Sequence, residues 1–236
     1  MSLFGRFLEI SVPVEDIQES LHWYQALGFS ECTTSDSVDH HYAVVTDGRV
    51  FIGLHAAGLQ TLTLSFVRPE LTGAITELEA AEIEPDKVYL GDERYHSVSL
   101  CSPDELDVQL LEARTFSSTT VESTPLTGQL RYLQVVTPDP AATSEFWTRG
   151  GLDRHALEAS VEDDDADEDE FELITPGMTL MVRDGRSAVT LNFYSSDTVP
   201  LLETLNRKDM QYRKRGNTLR LIAPEGTVFE ISATPR

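Results

Sequence analysis

Two glutamates stand where a carboxylate could do chemistry. Glu9 shares a strand face with Ser11, opposite Ile10 and Val12, and Glu230 shares one with Val228, opposite Phe229 and Ile231. A buried, unpaired carboxylate costs on the order of several kcal/mol or takes up a proton. Each could be a general base or could hold a donor group of a substrate. Each could equally be half-solvated, or paired with Arg6, Arg131 or Arg220. His55 closes the apolar run Phe51-Ile-Gly-Leu-His55, and His96 opens Tyr95-His-Ser-Val-Ser-Leu100. Turned inward, they would supply imidazoles near neutral pH; turned to the rim, they would be hydrogen-bonded strand ends. His40-His41 reads as a solvated hairpin, His22 as the exposed face of a helix, and His155 as a loop residue without a partner. Phosphate-cradling glycine loops and a GxSxG elbow are absent. The run Glu162-Asp-Asp-Asp-Ala-Asp-Glu-Asp-Glu170 lacks the glycine and spacing of an EF-hand and reads as a solvated insertion.

The elements that must position these residues recur. Phe7 to Val14 alternates as a strand; Asp16 caps a helix with Ile17, Leu21, Tyr24 and Leu27 on one side, and Gly28 ends it. Strands follow at Phe29–Cys32, His41–Thr46 and Val50–His55, with Asp47-Gly48 as a tight turn. The order repeats with strand Thr61–Val67, helix Glu70–Ala81 and strands Val88–Leu90, His96–Cys101 and Asp107–Leu111. A third copy has strand Leu130–Thr137, helix Pro140–Arg149 and strands Phe171–Thr175 and Met178–Arg183. A fourth has strand Ala188–Tyr194, helix Val199–Arg207 and strands Thr218–Ile222 and Thr227–Ser232. Each of the last two copies shows only two of the three closing strands. The fold class is therefore α+β, built from four βαβββ modules. One module leaves a sheet face bare, so modules should pair. The Ser/Thr-rich stretch 116–128 has linker composition, giving a first domain over 1–115 and a second over 129–236. Trp23, Tyr24, Phe146 and Trp147 are read as core.

Composition excludes several classes. The chain has 236 residues, 40% hydrophobic and 25% charged, enough for a real core. Its net charge of -22 opposes nucleic-acid and anionic-membrane binding. No apolar run approaches the roughly 20 residues of a membrane span, and no signal peptide is read at the N-terminus. Cys32 and Cys101 form no CxxC, which suits a reducing cytoplasm. Of the 18 basic residues only Lys87, Lys208 and Lys214 are lysines. Excess carboxylate with scarce lysine resembles proteins of salt-in halophiles, whose self-repulsion is screened at molar salt; an ordinary acidic protein is the alternative.

Glu9-Ile-Ser-Val-Pro-Val-Glu-Asp-Ile-Gln-Glu-Ser-Leu-His-Trp-Tyr-Gln-Ala-Leu-Gly-Phe29 resembles the opening βα unit of the vicinal oxygen chelate superfamily, which includes glyoxalase I, bleomycin-resistance proteins, fosfomycin-resistance enzymes and extradiol dioxygenases. Tyr132-Leu-Gln-Val-Val-Thr-Pro-Asp-Pro-Ala-Ala-Thr-Ser-Glu-Phe-Trp147 repeats it, and Ser102-Pro-Asp-Glu-Leu-Asp-Val-Gln-Leu110 and Ala223-Pro-Glu-Gly-Thr-Val-Phe-Glu-Ile231 resemble its closing turn and strand. The resemblance spans nearly the whole chain. It implies two glyoxalase-like domains, each a curled eight-stranded sheet with helices outside and a pit inside.

The resemblance also implies a divalent metal in the pit. The matching positions in the first domain are Glu9, Gly53, Leu62 and Gln109; in the second they are Tyr132, Met181, Val189 or Thr190, and Glu230. Neither set offers the two histidines and one carboxylate of extradiol cleavage. Glu9 and Gln109 are the least unsuited to a metal, which is possible but not expected at full occupancy. His55, His96, Gln109 and Tyr132 are then candidate ligand-binding residues, with Glu9 and Glu230 the candidate catalytic ones. The implied function is a cytoplasmic protein, monomer or homodimer, that binds or transforms a small molecule in a barrel pit with the family's metal site incomplete. A Glu–His pair within reach in the pit would favour an enzyme, a lyase or dioxygenase with displaced ligands. An aromatic cleft without such a pair would favour a sequestering protein of the bleomycin-resistance kind. Pits filled by side chains would favour a structural role.

Overall fold

The computed structural model describes residues 2–35, 40–91, 95–117, 123–155 and 170–233. Sixteen strands and four helices occur among them. The first sheet holds β1 (Arg6–Pro13), β2 (Ser30–Cys32), β3 (Tyr42–Thr46), β4 (Phe51–His55), β5 (Thr63–Val67), β6 (Lys87–Tyr89), β7 (Ser97–Cys101) and β8 (Asp107–Leu111), in the order β2-β3-β4-β1-β5-β8-β7-β6. The second holds β9 (Gln129–Thr137), β10 (Asp153–His155), β11 (Phe171–Thr175), β12 (Met178–Asp184), β13 (Ala188–Ser195), β14 (Arg213–Arg215), β15 (Thr218–Ile222) and β16 (Val228–Ala233), in the matching order β10-β11-β12-β9-β13-β16-β15-β14. The helices are α1 (Ile17–Ala26), α2 (Leu71–Ala80), α3 (Pro140–Arg149) and α4 (Val199–Arg207). All four βαβββ modules are present. The two strands that sequence left unplaced are β10 and β14. Both are three-residue edge strands, fully exposed and polar, so no apolar alternation marks them.

In each sheet the first strands of two modules pair antiparallel at the centre: β1 with β5, β9 with β13. Each also pairs in parallel with its module's last strand. The Asp16 carboxylate accepts from the amides of Gln18 and Glu19, and the Asp139 carboxylate from that of Ala142, so both module-opening helices begin at capped termini.

The helices are not simply outside. Trp23 and Tyr24 of α1 lie against Phe229 of β16, with ring centroids 5.3 and 5.9 Å apart, and Phe29 meets Phe193 at 6.2 Å. Reciprocally, Phe146 and Trp147 of α3 pack on Phe4 at 5.6 and 5.9 Å, and Phe4 reaches Phe66 at 5.6 Å. Helix α1 therefore serves the second sheet as well as its own, and α3 serves the first. Tyr24, Phe146 and Trp147 are buried in the core as expected and Trp23, partly buried, packs against it; the main cluster is contiguous and drawn from both halves. Gly150 is required at this junction: a Cβ there would sit 2.2 Å from the Phe4 ring.

Polar contacts mark the same crossing. Ser20 and Tyr24 donate to the two Glu225 carboxylate oxygens at 2.9 and 2.7 Å, joining α1 to the turn between β15 and β16. Burial, then the Glu225 charge, pushes the Tyr24 phenol well above its ordinary value and keeps it a donor. The corresponding turn of the first sheet carries Asp104, which accepts from Ser102 at 2.7 Å. The stretch read as a linker is docked at both ends: Phe116 pairs with Thr34 and is buried, Ser123 donates to the Gly28 carbonyl, and the Leu126 amide donates to Leu27.

Burial raises the Asp104 carboxyl from its ordinary value, with the Ser102 and Thr143 hydroxyls pulling the other way. The folded state thus holds this proton more tightly than the unfolded chain. That contribution is present below the unfolded value and is withdrawn as pH climbs through the folded one. Asp104→Asn, which keeps the acceptor without the charge, is expected to raise the thermal midpoint at pH 7. The advantage should vanish below about pH 3.9, where the unfolded Asp is itself protonated; an equal gain at pH 3 and pH 7 would contradict this account.

Candidate functional site

Register fixes which side chains share the face turned away from the helices. In the first sheet Glu9, Ser65 and Gln109 form one cross-strand row; in the second the equivalent row is Tyr132, Asn192 and Glu230. These rows correct two positions inferred from sequence. Ser65, not Leu62, stands opposite Glu9, and Asn192, not Val189 or Thr190, stands opposite Tyr132, because pairing register and not distance from the strand end sets the partner.

Glu9 is 1% exposed, yet it is satisfied. One carboxylate oxygen accepts from Ser11 at 2.9 Å and lies 3.2 Å from His55 Nε2; the other accepts from Tyr42 at 2.6 Å. His55 Nδ1 lies 2.9 Å from His40 Nε2, so a chain of four polar side chains runs from Tyr42 through Glu9 and His55 to His40. His40 is therefore part of the cluster and not a free hairpin residue; its place on an irregular loop hid this from pattern reading. Burial, then the Glu9 charge, lifts the Tyr42 phenol far above its ordinary value, so it stays protonated and donates. Gly53 makes the arrangement possible, since a Cβ there would fall 2.4 Å from a Glu9 oxygen. The carboxylate leans over Gly53 toward β3 and β4.

The other candidates are elsewhere. His96 lies 3.4 Å from Glu112 and does not join Glu9 and His55. It opens a strand on the far side of the sheet, where β7 is separated from β1 by β8 and β5. Gln109 shares the Glu9 row but makes no hydrogen bond to it among the described residues. Glu230 is paired with Arg220 at 3.3 Å, one of the arginine pairings held open from sequence.

The same face of the first sheet is filled on one side by its own apolar residues. Leu8, Cys32, Val44 and Phe116 form a separate buried cluster, with Tyr42, Phe51, Val67 and Leu111 packed against it. Burial, with Glu9 next, raises the Cys32 thiol.

The second sheet differs. Its inner face lines a cavity of about 620 Å³ bounded by Arg131, Tyr132, His155, Glu172, Met181 and Asn192, with Arg183 and Tyr194 also at its wall. Arg183 is ion-paired with Glu170. The Arg131 guanidinium lies 5.4 Å over the Tyr194 ring, with no carboxylate partner among the described residues. His155 proves to be an edge-strand residue facing Glu172 across β10 and β11, not a loop residue. Tyr132, named from sequence as a candidate ligand-binding residue, lines this cavity; Arg131 was named only as a possible carboxylate partner, and Arg183 and Tyr194 were not singled out, although strand parity from Tyr132 reaches Tyr194 once the register is known.

A divalent metal does not fit these donors. The first row offers one carboxylate whose oxygens already accept three donors, a hydroxyl and an amide. The second offers a phenol, an amide and an arginine-paired carboxylate. Hard cations and Fe(II) need free anionic oxygens or neutral imidazoles converging on one point. Among the described residues no group of three or more His, Cys, Asp or Glu is placed to hold an ion. Most of the acid run, 162–169, lies outside the described residues.

No protein-family model and no curated protein matches the chain. Solved structures do. A catechol 2,3-dioxygenase aligns over 100% of this chain and 90% of its own, at 15% identity and a TM-score of 0.64. An extradiol ring-cleaving dioxygenase from B. fuscum aligns over 98% and 72%, at 13% and 0.63. A Mn(II)-bound glyoxalase from Novosphingobium aromaticivorans aligns over 97% and 82%, at 11% and 0.62. The fold is the two-domain vicinal oxygen chelate fold. No helix among the described residues is long and apolar enough to cross a membrane.

Gly53→Ala is expected to cost about 1–3 kcal/mol in urea unfolding, the range of an overpacked core. Adding Glu9→Ala should recover part of that loss, because the two changes share one contact. Strict additivity of the two would refute the seating of Glu9 on Gly53.

Proposed function

We propose that this protein binds a small molecule on the inner face of its second sheet and does so without a metal such as the Mn(II) of the neighbouring glyoxalase. The carrying observation is the cavity of about 620 Å³ there, a size typical of ligand sites. The occupant we infer is a small planar molecule with an anionic end. Arg131 offers a guanidinium without an ion-pair partner among the described residues, Glu172 stands on the same wall, Tyr132 and Tyr194 offer rings with hydroxyls, and Met181 and Phe193 supply apolar wall. Recognition would rest on a charge-assisted hydrogen bond to Arg131 and on ring contact. The first unit, 1–115, then acts as a support whose own hollow is part filled, and the second, 129–236, as the binding unit. We read the protein as a cytoplasmic sequestering protein and as a monomer, the tandem supplying the pairing of modules. The free thiols of Cys32 and Cys101 are compatible with a reducing compartment.

Titration with benzoate and phenylacetate, followed by NMR, tests this. Shifts should appear at second-sheet residues around Tyr132 and Tyr194. Met181→Trp should abolish them by filling the cavity, and Arg131→Ala should weaken binding about tenfold or more, the loss of one charged hydrogen bond. Shifts confined to the first sheet, or indifference to Met181→Trp, would reject the assignment.

The Glu9–His55 contact at 3.2 Å supports a second reading, an acid–base enzyme working from the first sheet. Under that reading Glu9→Gln abolishes turnover of a bound ligand; under the first it leaves binding at the second sheet unchanged.

A further inference from the structure

A strongly basic edge stands out on a chain with 40 acidic residues. Arg207, Lys208, Arg213, Lys214 and Arg215 fall within nine positions that contain one acid, Asp209, and they include two of the three lysines. Strand β14 is Arg213-Lys214-Arg215, and all three residues are exposed. It is the last strand of its sheet, so one row of its backbone amides and carbonyls has no strand partner. None of its three cations has a carboxylate partner among the described residues. The register adds strain. Arg213 stands directly opposite Arg220, and like charges facing each other across a strand pair repel. The nearest relief, Glu230, is taken by Arg220.

Basic residues on an edge strand can serve only to prevent pairing with other sheets. That role needs one or two charges. It does not account for the concentration of scarce cations here, nor for Arg213 standing opposite Arg220 with no carboxylate partner of its own among the described residues, where carboxylates outnumber bases by 40 to 18. An extended acidic segment would satisfy both features at once. Its backbone would complete the open row of hydrogen bonds, and its carboxylates would separate Arg213 from Arg220.

We propose that β14 is a docking edge for an acidic peptide segment of a partner protein, which adds to the second sheet as a further strand. The surface is distinct from the ligand cavity and does not depend on it.

The probe is a fluorescein-labelled ten-residue peptide of alternating glutamate and valine, measured by anisotropy with the intact protein. Three competitors accompany it: the same peptide N-methylated at alternate residues, a single-stranded DNA decamer and tripolyphosphate. The peptide should bind. Affinity should fall about tenfold or more in Arg213→Glu/Lys214→Glu/Arg215→Glu, the scale of lost charged contacts. It should fall similarly on N-methylation, which keeps the charge but blocks strand pairing. Circular dichroism and the thermal midpoint check that the variant folds; should it not, Lys214→Glu alone is read instead and should still weaken binding. No binding overturns the proposal, as does equal affinity for the N-methylated peptide. DNA or tripolyphosphate competing as well as the peptide overturns it in favour of a general polyanion surface. Self-association of the wild type that the peptide fails to displace assigns the edge to a second copy and also overturns it.

Discussion

The structure depends on a reciprocal exchange of aromatic side chains. Neither sheet covers its apolar face with its own helices alone. Trp23 and Tyr24 reach Phe229, while Phe146 and Trp147 reach Phe4 and through it Phe66. Such large side chains dominate burial, and their edge-on contacts add direction to it. The consequence is one main core shared by both sheets on their helix side. Holding β1 and β9 against this shared layer fixes which face of each strand turns inward, because a slip of one residue would send every apolar side chain to the wrong side. Glu9 and Tyr132 occupy their inner positions for that reason.

On this common frame the two inner faces have parted. The first closes over a buried carboxylate that is held by Ser11, Tyr42 and His55, and it packs Phe116 and Val44 beside it. The second keeps an opening and puts arginine and tyrosine around it. The same strand order thus supports an interior in one half and a recess in the other. The difference comes from a few inward residues: a glycine at 53 where the second sheet has Met181, and Glu9 where it has Tyr132. Among the described residues neither half assembles the imidazole and carboxylate donors that a metal would need.

Much of this was legible in the chain. Alternation and helix caps located fourteen of the sixteen strands and all four helices, and strand parity put Glu9 and Ser11 on one face, where the structure joins them by a hydrogen bond. What stayed hidden was non-local. The partners of Glu9 and Tyr132 follow from strand register, which composition does not carry. His40 sits on an irregular turn, so nothing periodic tied it to His55. His96 shows the limit from the other side: its strand was read correctly, but strand order, not sequence distance, keeps it from Glu9. The sharing of helices between halves was equally invisible, since an apolar helix stripe does not say which sheet it will meet.

Phe116 has a further implication. The segment that connects the halves is also a piece of the first one's interior, and Ser123 and Leu126 fasten its other end to the same unit. Dissecting the chain at this connection would therefore not release two autonomous pieces. One fragment would lose the ring that stoppers its hollow, and both would be left with sticky aromatic flanks, so any evolutionary shuffling of these halves must move them together.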